Sequence, residues 1–222
     1  MGIIISKYGA VLLRAMGQTL LLALLGLSFA CIIGMIFGIL SVVKNKVCNI
    51  VALVFVDGIR GVPMIVLAYF IYFGIPYLMN NTFDADITLS ALQAGTICLA
   101  LNCGAYMAEI IRAGIQAVDI GQMEAARSLG LPYWKSMRRV VLPQAIRMMI
   151  PSIINQFIIT LKDTSILSVI GFPELVNTAK NVVASTFMSF QTWAIVGLMY
   201  LIVILLLQWA AKALERRLKY ES

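Results

Sequence analysis

Residues 18–43 read QTLLLALLGLSFACIIGMIFGILSVV, twenty-six positions without a charged side chain, closed by Lys44, Asn45 and Lys46. A bilayer core about 30 Å thick takes about 20 apolar residues in helical form, so this stretch predicts a membrane-crossing helix. Working outward, four more spans are expected. The second lies within residues 48–79, too long for one straight crossing. Arg60, Gly61, Val62 and Pro63 offer its break, because proline removes a backbone donor and restricts the residue before it. An acidic loop from Asn80 to Thr88 follows, carrying Asp84 and Asp86. The third span runs from Leu89 to about Ile111, the fourth from about Met148 to Ile170 and the fifth from Thr192 to Ala213. Residues 3–15 mix Ile, Val and Leu with Lys7 and Arg14, which reads as a helix lying in the membrane interface.

Over its 222 residues the chain is 61% hydrophobic and only 12% charged, against about 25% charged in soluble domains, which excludes a soluble globule. It has no histidine, which removes catalytic triads, His-ligated zinc and imidazole proton relays together. The four cysteines, Cys31, Cys48, Cys98 and Cys103, form no CxxC and sit in or beside apolar runs, so free thiols are expected, with no disulfide framework and no metal site. No GxxxxGK[ST] loop is present, so the chain does not bind ATP in the P-loop manner. The opening MGIIISKYGAVLLRAMGQ lacks a basic stretch followed by a small-residue cleavage site and is expected to stay in the mature protein.

Basic residues near span ends orient the chain. Twelve fall on one set of sides: Lys44, Lys46, Arg112, Arg127, Lys135, Arg138, Arg139, Arg147, Lys212, Arg216, Arg217 and Lys219. Four fall on the other: Lys7, Arg14, Lys162 and Lys180. The majority side is expected to be cytoplasmic, leaving the N-terminus outside and the C-terminus inside. The net charge of +7 is then an orientation signal, and no nucleic acid is needed to explain it.

The least hydrophobic stretch, Arg112 to Arg147, falls on the cytoplasmic side. It holds Glu124-Ala125-Ala126-Arg127-Ser128-Leu129-Gly130-Leu131-Pro132, then Tyr133 to Arg139, then Val140-Val141-Leu142-Pro143. Strong helix formers stopped by Gly130, with Pro132 beside it, predict a helix, a turn and a second amphipathic helix. For Glu124 alone, a solvated charge supporting Arg127 three residues on is an equally good reading.

The spacing EAAx3Gx9IxLP resembles the cytoplasmic signature of permease subunits in binding-protein-dependent ABC importers. Glu124, Ala125, Ala126, Gly130, Leu142 and Pro143 fall on it, and Val140 stands where the pattern has isoleucine. Residues 60–76 (RGVPMIVLAYFIYFGIP), 101–118 (LNCGAYMAEIIRAGIQAV) and 161–175 (LKDTSILSVIGFPEL) resemble the polar amino acid branch, the histidine, glutamine and arginine type. Val62 and Cys103 depart from it, standing where a threonine and an aromatic are expected. The resemblance covers about residues 15–215. It implies an all-α integral membrane protein of the type I ABC importer fold: five transmembrane helices, an interfacial segment 1–17, a transmembrane domain 18–213 with its coupling loop at 112–147, and a cytoplasmic tail 214–222.

The resemblance also implies a multi-pass protein of the bacterial cytoplasmic membrane that is not itself an enzyme and binds no cofactor. ATP and Mg belong to a partner ABC ATPase dimer, which the six motif residues meet. A second permease subunit, identical or different, and an extracytoplasmic amino acid-binding protein complete the set. The cargo is a polar or basic amino acid. An ion-coupled carrier or channel is the alternative.

Ionisable groups inside spans are costly and mark pathways, which singles out Arg60, Glu109, Lys162 and Asp163. On the third span Gly95, Asn102, Tyr106 and Glu109 share a face. Asn102 falls about 20 Å along it at 1.5 Å per residue, near mid-depth, so Asn102 and Tyr106 are substrate candidates, whereas Glu109 is expected to pair with Arg112. Gln156, Thr160 and Asp163 share a face of the fourth span. Asp163 either meets a substrate ammonium or pairs with Lys162 or Arg60. Arg60 either meets substrate or, somewhat better, pairs with Asp57, and Met64 and Leu67 continue its face.

Overall fold

The computed structural model describes residues 2–220, with side chains through Ala213. The end of the expected tail and the side chains of Arg216, Arg217 and Lys219 lie outside the described residues. Ten α-helices follow one another: α1 (Gly2–Val42), α2 (Lys46–Arg60), α3 (Met64–Tyr69), α4 (Ile75–Phe83), α5 (Ala91–Gln116), α6 (Ile120–Ser128), α7 (Tyr133–Ser136), α8 (Leu142–Asp163), α9 (Leu175–Thr186) and α10 (Ser189–Tyr220). π-helical turns at Phe70–Gly74 and Met137–Val141 join α3 to α4 and α7 to α8, and a 3-10 turn, Thr164–Ile170, follows α8. No strand occurs among the described residues. Among the described residues five rods are long and apolar enough to cross a membrane: Gly2–Val42, Met64–Phe83, Ala91–Gln116, Tyr133–Ile170 and Ser189–Ala213.

Both π turns stand immediately before a proline, Pro76 or Pro143, in the first turn of the next helix. A proline ring inside a helix crowds the carbonyl four residues back and donates nothing. Widening the helix by one residue relieves the clash, and the Ile75 and Leu142 N–H groups donate five residues back, to the Phe70 and Met137 carbonyls. The second arm of the α6–α7 hairpin is therefore one rod with the fourth span, where separate elements were expected.

Two other boundaries differ from expectation. The segment 1–17 is not separated from the first span, since no breaker interrupts α1. Its buried face, Ile4, Leu12, Ala15 and Met16, packs on Leu175, Ala179, Val182 and Val196 of α9 and α10. At 41 residues α1 is about 62 Å long, twice the hydrocarbon thickness. The acidic loop begins only at Asp84, because α4 continues through Asn80 to Phe83. The Asn80 amide then closes the loop, donating to the Ile87 carbonyl at 3.0 Å and accepting from its N–H at 2.6 Å.

α5 is the central helix, between α1 and α8. Gly26, Ala30, Gly34 and Gly38 place a small buried residue at every fourth position of α1, forming a stripe against α5. A Cβ at Gly26 would lie 2.6 Å from the Leu99 Cβ, one at Gly38 2.8 Å from the Ile111 Cβ, and one at Gly104 of α5 2.7 Å from the Ile33 Cγ2. Such close approach is how helices associate in lipid, where no hydrophobic force separates them from the solvent. Gly34→Leu is expected to lower stability by about 1–3 kcal/mol or more, because backbone of α5 must move to admit it. A thermal melt of the detergent-solubilised protein reads this directly, and an unshifted melting temperature would show that the seam is loose. α10 sits at the periphery, exposing Leu198, Leu201, Leu205, Leu206 and Trp209.

Candidate functional site

The break expected in the second span lies at Gly61–Pro63. The Gly61 N–H still donates to the Asp57 carbonyl at 2.8 Å, ending α2, and the Pro63 carbonyl accepts from Val66 and Leu67 at 2.9 and 3.1 Å, starting α3. Between these ends the chain borders a cavity of about 550 Å³. α2 and α3 supply Arg60 and Met64, α5 supplies Asn102 and Tyr106, and α8 supplies Gln156 and Asp163. The size is that of an ordinary small-ligand pocket, and the lining mixes apolar side chains with a guanidinium, two amides, a phenol and a carboxylate.

Five of the six candidate pathway residues, Arg60, Met64, Asn102, Tyr106 and Asp163, thus line one cavity. Leu67 does not. It is buried in an apolar cluster with Ala68, Ile71, Cys98 and Leu99, because the turn that Pro63 starts points it toward α5. Cys103 does not line the cavity either, being buried beside Ala30 and Met107. Thr160, though on the Asp163 face, is buried, and its hydroxyl has no partner among the described residues. Gln156, Ile159, Ile166 and the backbone of 61–63 complete the wall. Polar residues spaced along α8 signalled the first of these, whereas nothing in composition signalled the isoleucines.

Charge pairing departs from expectation at Arg60. Its guanidinium lies 3.8 Å from the Glu109 carboxylate and 5.1 Å from the centre of the Tyr106 ring, and it does not pair with Asp57. Glu109 does pair with Arg112, which donates to it from Nε at 3.0 Å and from Nη2 at 2.5 Å. These are the only ion pairs among the described residues, so Asp163 bridges to neither Lys162 nor Arg60. The amide of Asn102 points to the Met64 sulfur at 3.8 Å, a weak contact easily exchanged for a ligand.

The hairpin of α6 and α7 forms a second candidate site. Asp119 caps α6, accepting from the Gly121 N–H at 2.7 Å. At the other end the Leu131 N–H donates to the Ala126 carbonyl at 3.3 Å and the Gly130 N–H to the Arg127 carbonyl at 3.0 Å, the paired bonds of a Schellman turn. That turn needs a left-handed residue, and Gly130 has φ +84. The hairpin packs on its own small core of Val118, Val141, Ala145 and Met149, and the Gln144 side-chain amide donates to Gln122 Oε1 at 3.3 Å. Lys44, at the end of α1, lies 5.3 Å from the centre of the Tyr133 ring.

Glu124, Ala125 and Gly130 are exposed, Ala126 is buried against the turn, Leu142 is half-buried and Pro143 is exposed beside its π turn. Glu124 makes no ion pair with Arg127, so the local support considered for it is absent. The spacing pattern did not single out the largest apolar side chains at the tip. Leu129 is 85% exposed and Trp134 70% exposed.

One buried acid was not singled out from sequence. Glu174 is fully buried outside the spans, caps α9 by accepting from the Val176 and Asn177 N–H groups at 2.8 and 2.6 Å, and accepts the Tyr200 hydroxyl of α10 at 3.2 Å. Burial pushes its carboxyl above the ordinary range, and these hydrogen bonds pull it back. With the Thr19 hydroxyl accepting from the Leu175 N–H at 3.1 Å, it ties α9 to α1 and α10.

The family model described as binding-protein-dependent transport system inner membrane component matches residues 30–220. The chain is 38% identical over 208 residues to the glutamine transport system permease protein GlnP of Escherichia coli (strain K12), covering 94% of this chain and 93% of that protein. It is 36% identical over 202 residues to the probable glutamine ABC transporter permease protein GlnM of Bacillus subtilis (strain 168), covering 91% and 90%. Among solved structures it is similar to an amino acid ABC transporter crystallised with histidines, with a TM-score of 0.89, 36% identity and 97% of each chain covered. The fold is shared with the inward-facing methionine transporter MetNI, with a TM-score of 0.74 at 19% identity.

Proposed function

Because this chain belongs to the family of binding-protein-dependent transport system inner membrane components, and is accordingly a multi-pass inner-membrane permease, we propose that it forms the passage for glutamine or a similar polar amino acid in an ATP-driven importer. The carrying observation is the cavity at the break of the second span. There Asp163 stands without a salt bridge beside the amides of Asn102 and Gln156, and Arg60 is held by one long ion pair. An amino acid carries one group of each sign. A carboxylate for its ammonium, a guanidinium for its carboxylate and amides for a polar side chain meet all three.

In this reading α6 and the exposed Leu129 and Trp134 dock into a separate ATPase, which binds ATP and Mg and does all the hydrolysis. Glu124, Ala125, Ala126 and Gly130 form the docking arm, and Leu142 and Pro143 fasten it to the fourth span. A second permease chain stands beside this one, and a binding protein delivers cargo from outside. The basic residues at 112–147 support a cytoplasmic position for that loop, with the N-terminus outside and the C-terminus inside. An ion-coupled carrier is not favoured, since the relatives above are permeases of ABC-type systems.

The test is reconstitution of the chain with its co-purifying ATPase in vesicles. Glutamine uptake is expected only with ATP inside and binding protein outside. Uptake that instead follows a proton or sodium gradient without ATP would overturn the reading.

A further inference from the structure

Arg60 is the one residue that lines both the mid-depth cavity and a second hollow of about 480 Å³. The second hollow is bordered by Ser41, Asn49, Asp57, Glu109, Arg112 and Gln116. Ser41 lies at the end of α1, Asn49 in the first turn of α2 and Gln116 at the end of α5, so this hollow opens toward the side carrying Lys44 and Lys46. Arg60 is about 21 Å along α2 from Lys46 at 1.5 Å per residue. The two spaces meet at the Arg60–Glu109 contact.

We propose that the Arg60–Glu109 pair is the inner gate of the passage, opening when Arg60 leaves Glu109 for the carboxylate of the cargo. This rests on the cavity being the passage proposed above. The two ion pairs of Glu109 are unequal. Arg112 holds the carboxylate through two charge-assisted bonds, the strong kind. Arg60 reaches it through a single contact of 3.8 Å between half-exposed side chains, the weak kind. When Arg60 turns away, Glu109 keeps its partner and no charge is left unpaired, so the exchange has little opposing it. Tyr106, with its ring 5.1 Å from the guanidinium, belongs to the cavity wall and gives Arg60 a resting place on the cavity side. Arg60 thus has three seats within reach: Glu109, the Tyr106 face and an incoming carboxylate.

The gate is tested in membranes holding the whole complex. Cys31 and Cys48 are replaced by serine, leaving only the fully buried Cys98 and Cys103. Ile159→Cys then places a thiol in the cavity wall, and a membrane-impermeant maleimide is applied to each membrane face in turn. R60Q and E109Q are each expected to speed labelling from the Lys44 side by about fivefold, as the loss of one half-exposed ion pair permits. R60K, which keeps a positive charge for the single contact with Glu109, is expected to stay near the parent rate. Unchanged labelling in both R60Q and E109Q, a change seen only from the opposite face, or acceleration in R60K equal to that in R60Q would each overturn the gate. Glutamine uptake by the parent complex is measured on the same membranes. Absent uptake with intact gate behaviour counts against the assigned cargo alone, and normal uptake with insensitive labelling counts against the gate alone.

Discussion

Gly130→Val is expected to cut glutamine uptake and cargo-stimulated ATP hydrolysis by about 5- to 30-fold while the chain stays folded in the membrane. The reason is confined to the backbone. At φ +84 an L-residue costs about 1–2 kcal/mol, and a β-branched one sits at the upper end. A Cβ at Gly130 meets nothing within 4 Å, so no clash is added to that strain. Such a cost is small beside the 5–15 kcal/mol of a typical fold, yet 1–2 kcal/mol changes a local equilibrium 5- to 30-fold. The equilibrium affected is the Schellman turn that aims Leu129 and carries the chain into α7 with Trp134. Gly130→Asn is the control, because asparagine tolerates the left-handed region, and it is expected to retain most activity. Uptake and stimulated hydrolysis in the reconstituted complex decide the matter. A fully active valine variant would remove the turn from the coupling argument.

Asp163→Asn carries the other large expected effect, a loss of uptake of about 10- to 150-fold at low substrate concentration, equivalent to the 1.5–3 kcal/mol of a hydrogen bond to a charged group. Asp163 lines the cavity and makes no ion pair among the described residues, so removing its charge strands no protein partner. The loss is therefore expected in transport and not in the melting temperature. Asn102→Ala, which removes a neutral group already 7% exposed, is expected to cost less, about 2- to 12-fold, from the 0.5–1.5 kcal/mol of a neutral hydrogen bond. If both proteins take up glutamine as the parent does, these side chains are packing in the wall and the cargo passes elsewhere. If Asp163→Asn instead lowers the melting temperature, its carboxylate is part of the fold.

Several elements were legible from local pattern because their causes are local. The uncharged run before Lys44 set the first span, Pro63 broke the second, and Gly130 ended α6, each through the chemistry of one or a few adjacent residues. Glu109 and Arg112 found each other because positions three apart on a helix are neighbours. What escaped depended on contacts between distant segments. Asp57 was the nearer partner for Arg60 in sequence, but α5 brings Glu109 and the Tyr106 ring to it. Leu67 followed the Arg60 face in periodicity, yet the break at Gly61–Pro63 resets the helix between them and turns it into the core. Pro76 and Pro143 do not break their helices, because a local π turn before each relieves the clash of its ring.

The amino-acid sequence alone determined that this is a basic, five-span, all-helical membrane chain with a helix-turn-helix between its third and fourth spans, because length, hydropathy, charge placement and turn chemistry act over short stretches. Only the tertiary structure decided which span is central, which candidate residues share a cavity and where Arg60 finds its partner. Lipid is as apolar as leucine, so hydrophobicity cannot tell a lipid-facing side from a helix-facing one. The choice falls to small residues such as Gly26, Gly34, Gly38 and Gly104, whose role shows only when two backbones meet.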